Sequence, residues 1–154
     1  MRAQASVEYF IIFAAALLVA MVAVSLLSSF LGSSAEKLKA ETDAYWSGAS
    51  PFSITEATQP SGGSTVHLRL ENRVPAYLTL HNITLEFAGT SSANTSQRIF
   101  TNGMSAAMSV ENAPANCLGR EGNFAQYNVA IYYDQLPLVG KVQEGAKPLH
   151  VRCT

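Results

Sequence analysis

The chain has 154 residues, 48% of them hydrophobic, and a formal net charge of -1. This length gives room for one ordinary domain and an appendage. Lys and Arg are scattered along it, which excludes the basic patch that marks a nucleic-acid-binding protein. The mean hydropathy of +0.13 is high for a soluble protein, and the apolar excess is concentrated before Gly32.

A long apolar stretch opens the chain. From Phe10 to Leu31 the only polar side chains are those of Ser25, Ser28 and Ser29. As a helix this stretch would span about 33 Å, enough to cross a bilayer core of about 30 Å. It predicts a helix that is apolar on every side.

The helical pattern continues beyond Gly32. The segment AEKLKAETDAYW is rich in helix formers. A narrow, mostly apolar stripe recurs there every three or four residues, formed by Leu31, Ala35, Leu38, Thr42 and Tyr45. We therefore predict one helix over 4–46, with a kink or short break at Gly32.

After Gly48 the apolar residues recur at every second position, as in a β-strand, and no longer at every third or fourth position, as in a helix. Strands are predicted at 66–71, 78–87, 97–101, 106–111, 127–133, 136–142 and 148–153. Before His81-Asn82 the apolar residues of the strand at 78–87 occupy even-numbered positions, and after it they occupy odd-numbered ones. We therefore expect a bulge or tight turn there. The fold class is thus α+β: a long N-terminal hydrophobic helix followed by an all-β, Ig-like β-sandwich head over 48–154.

Glu8 is an unexpected charged residue because it lies just before the apolar stretch. Two simple interpretations of this stretch are open. An ordinary membrane anchor is one. A removable secretory signal peptide is the other, with Arg2 as its charged region and Ser33–Ala35 as the cleavage site. The second fits less well, because the apolar run exceeds the usual 7–15 residues and Glu8 lies where that run should begin.

A third interpretation comes from the stretch RAQASVEYFIIFAAALLVA. It resembles the leader of archaeal type IV pilins, the class III signal peptide group. The residues that carry the resemblance are Arg2, Ala3, Gln4, Glu8 and Tyr9. The resemblance implies that a prepilin peptidase cuts between Ala3 and Gln4, so that residues 1–3 are the leader. The helix, over 4–47, then stays on the mature chain, with Glu8 as its fifth residue.

The same resemblance implies assembly with identical subunits in a helical filament, by a pilus assembly ATPase and a membrane platform. The assembly residues would be Gln4, Glu8, Tyr9, Phe10 and Phe13. A carboxylate in an apolar environment is costly unless it is paired, and cleavage creates an α-amine at Gln4, which is largely protonated near neutrality. Pairing of Glu8 with the Gln4 amine of a neighbour would fix the axial register. The alternative is that Glu8 faces lipid headgroups in the first helical turns, where the helix dipole favours it.

The head carries a weaker resemblance. VHLRLENRVPAYLTLHNITLEF resembles the strand–turn–strand segment of archaeal pilin and archaellin heads. Two N-glycosylation sequons, at Asn82 and Asn94, fall in expected exposed turns. On a surface filament, both asparagines are expected to be glycosylated.

Cys117 and Cys153 are the two cysteines of the chain. A bridge between them would suit an extracytoplasmic domain and pin the chain end. Two free buried thiols are the alternative. A metal site is not expected, because no further Cys or His lies at ligand spacing.

Nothing in the sequence favours an enzyme. His67, His81 and His150 lie in no catalytic pattern, and PSGGS lacks the Lys and the following helix of a phosphate loop. We expect no catalytic residues and no cofactor. The sequence predicts a pilin-like filament subunit at the cell surface, inserted in the membrane before assembly. The alternatives are a single-pass, membrane-anchored β-sandwich binding protein and an archaellin-like subunit.

Overall fold

The computed structural model describes residues 2–114, 117 and 122–154, and their side chains except those of 2–8 and 29–36. Residues Ala40–Thr154 form one compact unit, and the chain before Ala40 forms the other. The two units are described separately below.

A single helix, α1 (Arg2–Gly48), runs through both units. The prediction of one long helix is confirmed, with ends within two residues of those expected. No break occurs at Gly32, because the helix continues without interruption through that residue; a kink there stays a prediction.

The face of α1 that is buried differs from the predicted stripe. Thr42 and Trp46 are 5% and 0% exposed, whereas Leu38 is 53% exposed. Thr42 and Trp46 are four residues apart and therefore lie on one face of the helix. Of the stripe, Thr42 belongs to this buried face and Leu38 is exposed, because contact with the β domain, and not local apolarity, decides which side chains are covered.

Nine strands follow the helix in the described part of the chain. They are β1 (Phe52–Gln59), β2 (Val66–Asn72), β3 (Leu78–Phe87), β4 (Thr90–Asn94), β5 (Arg98–Phe100), β6 (Ser105–Val110), β7 (Phe124–Gln135), β8 (Leu138–Glu144) and β9 (Leu149–Cys153). All seven predicted strands are present, and β1 and β4 are additional. The part of the chain after Gly48 that is described contains no helix, as expected.

The strands form one mixed, curled sheet. Its main path runs β4-β3-β7-β9-β1-β2-β6, with β5 paired to β3 and β8 paired to β7. The β1–β9 pair is parallel and the other pairs are antiparallel. The chain is therefore broadly α+β, and its β domain is a half-barrel. An Ig-like sandwich stays a prediction.

Two of the three register shifts in the described strand pairs lie on the main path of the sheet; the third lies in the β7–β8 pair, between Tyr133 and Gln135. The register between β3 and β7 shifts between Leu80 and Asn82, which confirms the bulge that the parity flip predicts. A second shift lies in β1, between Ile54 and Glu56. Bulges bend a strand and increase its local twist, so both help the sheet to curl.

The concave side of the sheet holds the core. Inward side chains of β3 and β7 alternate with outward ones, and Leu78, Leu80, Ile83, Leu85, Tyr127 and Ile131 are 0% exposed. Phe52 packs edge-to-face against Phe100 and Tyr133, with ring centroids 5.3 and 5.6 Å apart. Burial of each large apolar side chain contributes about 1.5–3 kcal/mol.

Candidate functional site

The apolar part of α1 is the largest exposed apolar surface that the structure describes. Tyr9–Ser28 is long and apolar enough to cross a membrane, with a mean hydropathy of 2.9 and none of it buried. Tyr9, Phe10 and Phe13 are 80%, 76% and 62% exposed. A surface of this kind is stable only against lipid or against other apolar helices.

One polar side chain near the end of this segment is hydrogen-bonded within the helix itself. The Ser28 hydroxyl donates to the carbonyl oxygen of Val24 at 3.0 Å. Such a bond to the preceding turn is the usual way in which a serine is accommodated in an apolar helix. Tyr9–Ser28 contains no charged residue.

The residues expected to be processed and to pair lie just before this segment. Ala3, Gln4 and Glu8 belong to α1, but their side chains lie outside the described residues. Cleavage after Ala3 and pairing of Glu8 with the Gln4 amine stay predictions.

The last turns of α1 dock on the loop between β8 and β9. The indole of Trp46 packs directly on Gly145: a Cβ placed on Gly145 would lie 2.6 Å from Cη2 of the ring and closer still to Cζ2. The indole Nε1 donates to the Lys147 carbonyl oxygen at 3.2 Å, and the Tyr45 hydroxyl accepts from the amide of Ala146 at 2.9 Å. This loop, 145–147, is called the docking loop below.

Two polar contacts flank the indole. The Thr42 hydroxyl lies 2.9 Å from Nδ1 of His150, and both residues are buried. Glu41 accepts a hydrogen bond from the Lys147 ammonium. This bond, together with the charge of Lys147, lowers the pKa of Glu41. Because the side chains of Glu41 and Lys147 are 62% and 39% exposed, solvent screens the pair and its contribution to stability is small.

A disulfide and a buried tyrosine stabilise the region around the last residues of β9 and β1. The sulfur atoms of Cys117 and Cys153 lie 2.02 Å apart, so the expected bridge is present. The Tyr127 hydroxyl donates to Oε1 of Gln59 at 2.6 Å and lies 2.9 Å from the Pro114 carbonyl oxygen. Burial raises the pKa of Tyr127. The bridge closes a long loop and stabilises the fold by about 3–4 kcal/mol on the chain-entropy model.

The two sequons lie in different surroundings. Asn82 lies within β3 at the bulge, and not in a turn. Asn94 ends β4; its Nδ2 donates to the Ser109 carbonyl oxygen on β6, and its Oδ1 accepts from the Ser96 amide at 2.7 Å. Of the bulge or tight turn expected at His81-Asn82, the structure has the bulge; the exposed turn expected for this sequon was therefore wrong, because a bulge reverses side-chain parity without ending the strand.

An Asp–His pair lies on the outer face of the same sheet. The carboxylate of Asp134 lies 2.7 Å from Nε2 of His81 and accepts from the Gly140 amide at 2.6 Å. The Gly140 bond, and then the bond to His81, lowers the pKa of Asp134. The amide of Gln97 lies 3.3 Å from Nδ1 of His81. This pair joins β3 to the β7–β8 hairpin.

Several of these contacts are not predictable from the sequence. Trp46, Gly145 and Lys147 are distant along the chain, and nothing in the local pattern connects them. In the described part of the chain, no group of three or more His, Cys, Asp or Glu residues is placed to hold a metal ion.

Comparisons with known proteins identify no family for this chain. A scan against protein-family models finds no match for this chain. A search of curated proteins also finds none.

Proposed function

We propose that this chain is a structural subunit of an archaeal type IV pilus-like filament, displayed at the cell surface. The observation that carries the proposal is the fully exposed apolar segment Tyr9–Ser28. It belongs to the same unbroken helix whose last turns are docked in the β domain. The leader-like residues at the start of the chain add the resemblance to pilins.

Before assembly, lipid covers the apolar segment. In the filament, the same side chains pack against the helices of identical subunits, and Ala14, Ala15, Ala16 and Ala20 allow the helices to approach closely. Tyr9, Phe10 and Phe13 act as packing residues. The helix therefore serves as membrane segment and as assembly surface in turn.

Glu8 has a specific role in this proposal. A prepilin peptidase cuts between Ala3 and Gln4, and the new amine of Gln4 pairs with Glu8 of an adjacent subunit. A buried pair of this kind fixes register because sliding leaves each charge unpaired in an apolar environment. The head, which faces outward, serves adhesion or cell–cell contact.

The first experiment determines the N-terminus of the surface protein by mass spectrometry. A mature chain that begins at Gln4, recovered in filaments seen by electron microscopy, supports the proposal. A chain that begins at Met1 and is monomeric in detergent contradicts it and favours a membrane-anchored binding protein. A chain that begins at Glu36 indicates a cleaved secretory signal.

The second experiment tests Glu8 directly. We expect Glu8→Ala to abolish filaments while the head stays folded, as judged by its circular dichroism and its intact disulfide. Glu86→Ala, which removes an exposed carboxylate from β3, is the matched control and should assemble normally. Normal filaments from Glu8→Ala would overturn the pairing.

A further inference from the structure

The two sequons differ in whether the side-chain amide nitrogen is available. Asn94 uses both ends of its amide: Nδ2 donates to the Ser109 carbonyl oxygen and Oδ1 accepts from the Ser96 amide. Asn82 has no hydrogen bond to Nδ2 within the described part of the chain. Its buried, unpartnered atom is Oδ1, so Nδ2 is the end that reaches solvent.

Asn94 has a structural task as well. The strands β4 and β6 are the two ends of the main path of the sheet. Asn94 and Ser92 lie two residues apart on β4, and the Ser92 hydroxyl donates to the Asn112 carbonyl oxygen just after β6. The two side chains thus clasp the open edges of the half-barrel by bonding to main-chain carbonyls. Modification of Asn94 requires its amide to leave this clasp.

The surroundings of Asn82 favour a covalently attached sugar. Asn82 is paired in register with Tyr132 on β7, and Tyr132 is paired with Val142 on β8. Side chains directly opposite each other have Cβ atoms about 5 Å apart. Tyr132 and Val142 are 40% and 44% exposed, and they form an apolar platform beside the amide. Thr84, the hydroxyl residue of this sequon, lies two residues from Asn82 and thus on the same outer face.

We propose that Asn82 is the N-glycan acceptor of this chain, that the first sugar ring rests on the Tyr132–Val142 platform, and that Asn94 remains unmodified. The donor is a sugar carried on a membrane lipid phosphate, and a membrane glycosyltransferase supplies the base. A bond forms between Nδ2 of Asn82 and the anomeric carbon of the sugar. The bond from that carbon to the phosphate oxygen breaks, and the phosphate leaves with the electron pair. One amide proton passes to the base.

The platform gives the sugar a place on the protein. The apolar face of a pyranose ring matches the face of an aromatic side chain, and the tyrosine hydroxyl can remain hydrated at the edge. The glycan then covers two exposed apolar side chains. It is therefore expected to stabilise the head as well as to decorate it.

The proposal rests on the proposed function only in placing the head outside the membrane, where such a transferase acts. The test is peptide mapping by mass spectrometry of the protein purified from the cells that make it, with the N-terminus read in the same digest. Glycan on Asn82 and none on Asn94 is the expected result. Glycan on Asn94, or on neither residue, in a chain that begins at Gln4 overturns the inference and leaves the filament proposal standing. Glycan on Asn82 alone, in a chain that begins at Met1, supports the inference and overturns the filament proposal.

Two variants distinguish the proposed glycan acceptor, Asn82, from Asn94, whose side chain joins β4 to β6. Asn82→Gln should remove the glycan mass, whereas Asn94→Gln should keep that mass and lower the Tm of the head. The platform is tested by the Tm difference between the glycosylated protein and Thr84→Ala, which abolishes the sequon. The Tm difference should become smaller when Tyr132→Ala is added to both proteins. It should stay unchanged when Tyr77→Ala is added instead, since Tyr77 is an exposed tyrosine that is not part of the Tyr132–Val142 platform. An equal difference in both backgrounds would overturn the platform.

Discussion

Ala88 holds a backbone conformation that suits another residue better. Ala88 and Gly89 form the two-residue loop between the paired residues Phe87 and Thr90, with φ values of 49° and 79°. Positive φ at both positions is the signature of a type I′ turn, which strongly prefers Asn-Gly. A left-handed conformation costs an alanine roughly 1–2 kcal/mol. Asn112, with a φ of 54°, is the residue type that tolerates it.

We therefore expect Ala88→Asn to raise the free energy of unfolding by about 0.5–1 kcal/mol, because asparagine accepts the left-handed region more readily. Urea denaturation followed by Trp46 fluorescence measures the change. Ala93→Asn, in an exposed position of β4, is the control and should not stabilise. Equal or lower stability of Ala88→Asn would show that the turn is not strained.

At the scale of elements, the contact between α1 and the docking loop depends on the absence of a side chain at Gly145. An added Cβ would overlap the indole of Trp46, which is itself 0% exposed and cannot move outward without losing its bond to Lys147. Overpacking of this kind destabilises by about 1–3 kcal/mol.

Gly145→Ala is accordingly expected to lower the unfolding free energy by about 2 kcal/mol and to shift the emission of Trp46 toward that of an exposed indole. Gly48→Ala is the matched control, because a Cβ at Gly48 meets no atom within 4 Å. Equal stability of the two variants would mean that the docking loop adapts, and that the indole is not held by Gly145.

The elements that could be predicted are those in which an apolar period persists. The long helix, the alternation of β7 and the bulge near Asn82 are of this kind. The strand β1 was missed because its own bulge, between Ile54 and Glu56, interrupts the alternation after three residues. The strand β4, TSSAN, has no buried residue and therefore no apolar signal.

The candidate site was predictable to a similar extent. The exposed apolar segment and the cysteine pair follow from composition and count. The docking loop and the clasp at Asn94 do not, because both join residues that are far apart in sequence through main-chain carbonyls. Hydrogen bonds to main-chain carbonyls leave no signature in the identity of the accepting residue.

At the scale of the whole molecule, the end of α1 belongs to the compact unit that contains the β domain. Trp46 is part of the same buried core as Phe52 and Val129. Thr42 and Tyr45 extend the attachment through His150 and the amide of Ala146. The smallest independently stable part of the chain should therefore begin at Ala40, and not where the first strand begins.

This boundary can be tested with two fragments. Residues 40–154 should unfold cooperatively in urea, whereas residues 49–154 should be less stable by about 3–5 kcal/mol, the usual loss when a buried tryptophan is removed. In the full chain, Trp46→Ala in detergent should reproduce most of that loss, which separates the lost packing from any effect of the new N-terminus. If the two fragments had the same midpoint of urea unfolding, the end of α1 would not contribute to the stability of the β domain. With the expected difference, the helix end is part of the head's core. The helix that contains the apolar segment Tyr9–Ser28 then ends in a turn that the β domain requires to fold.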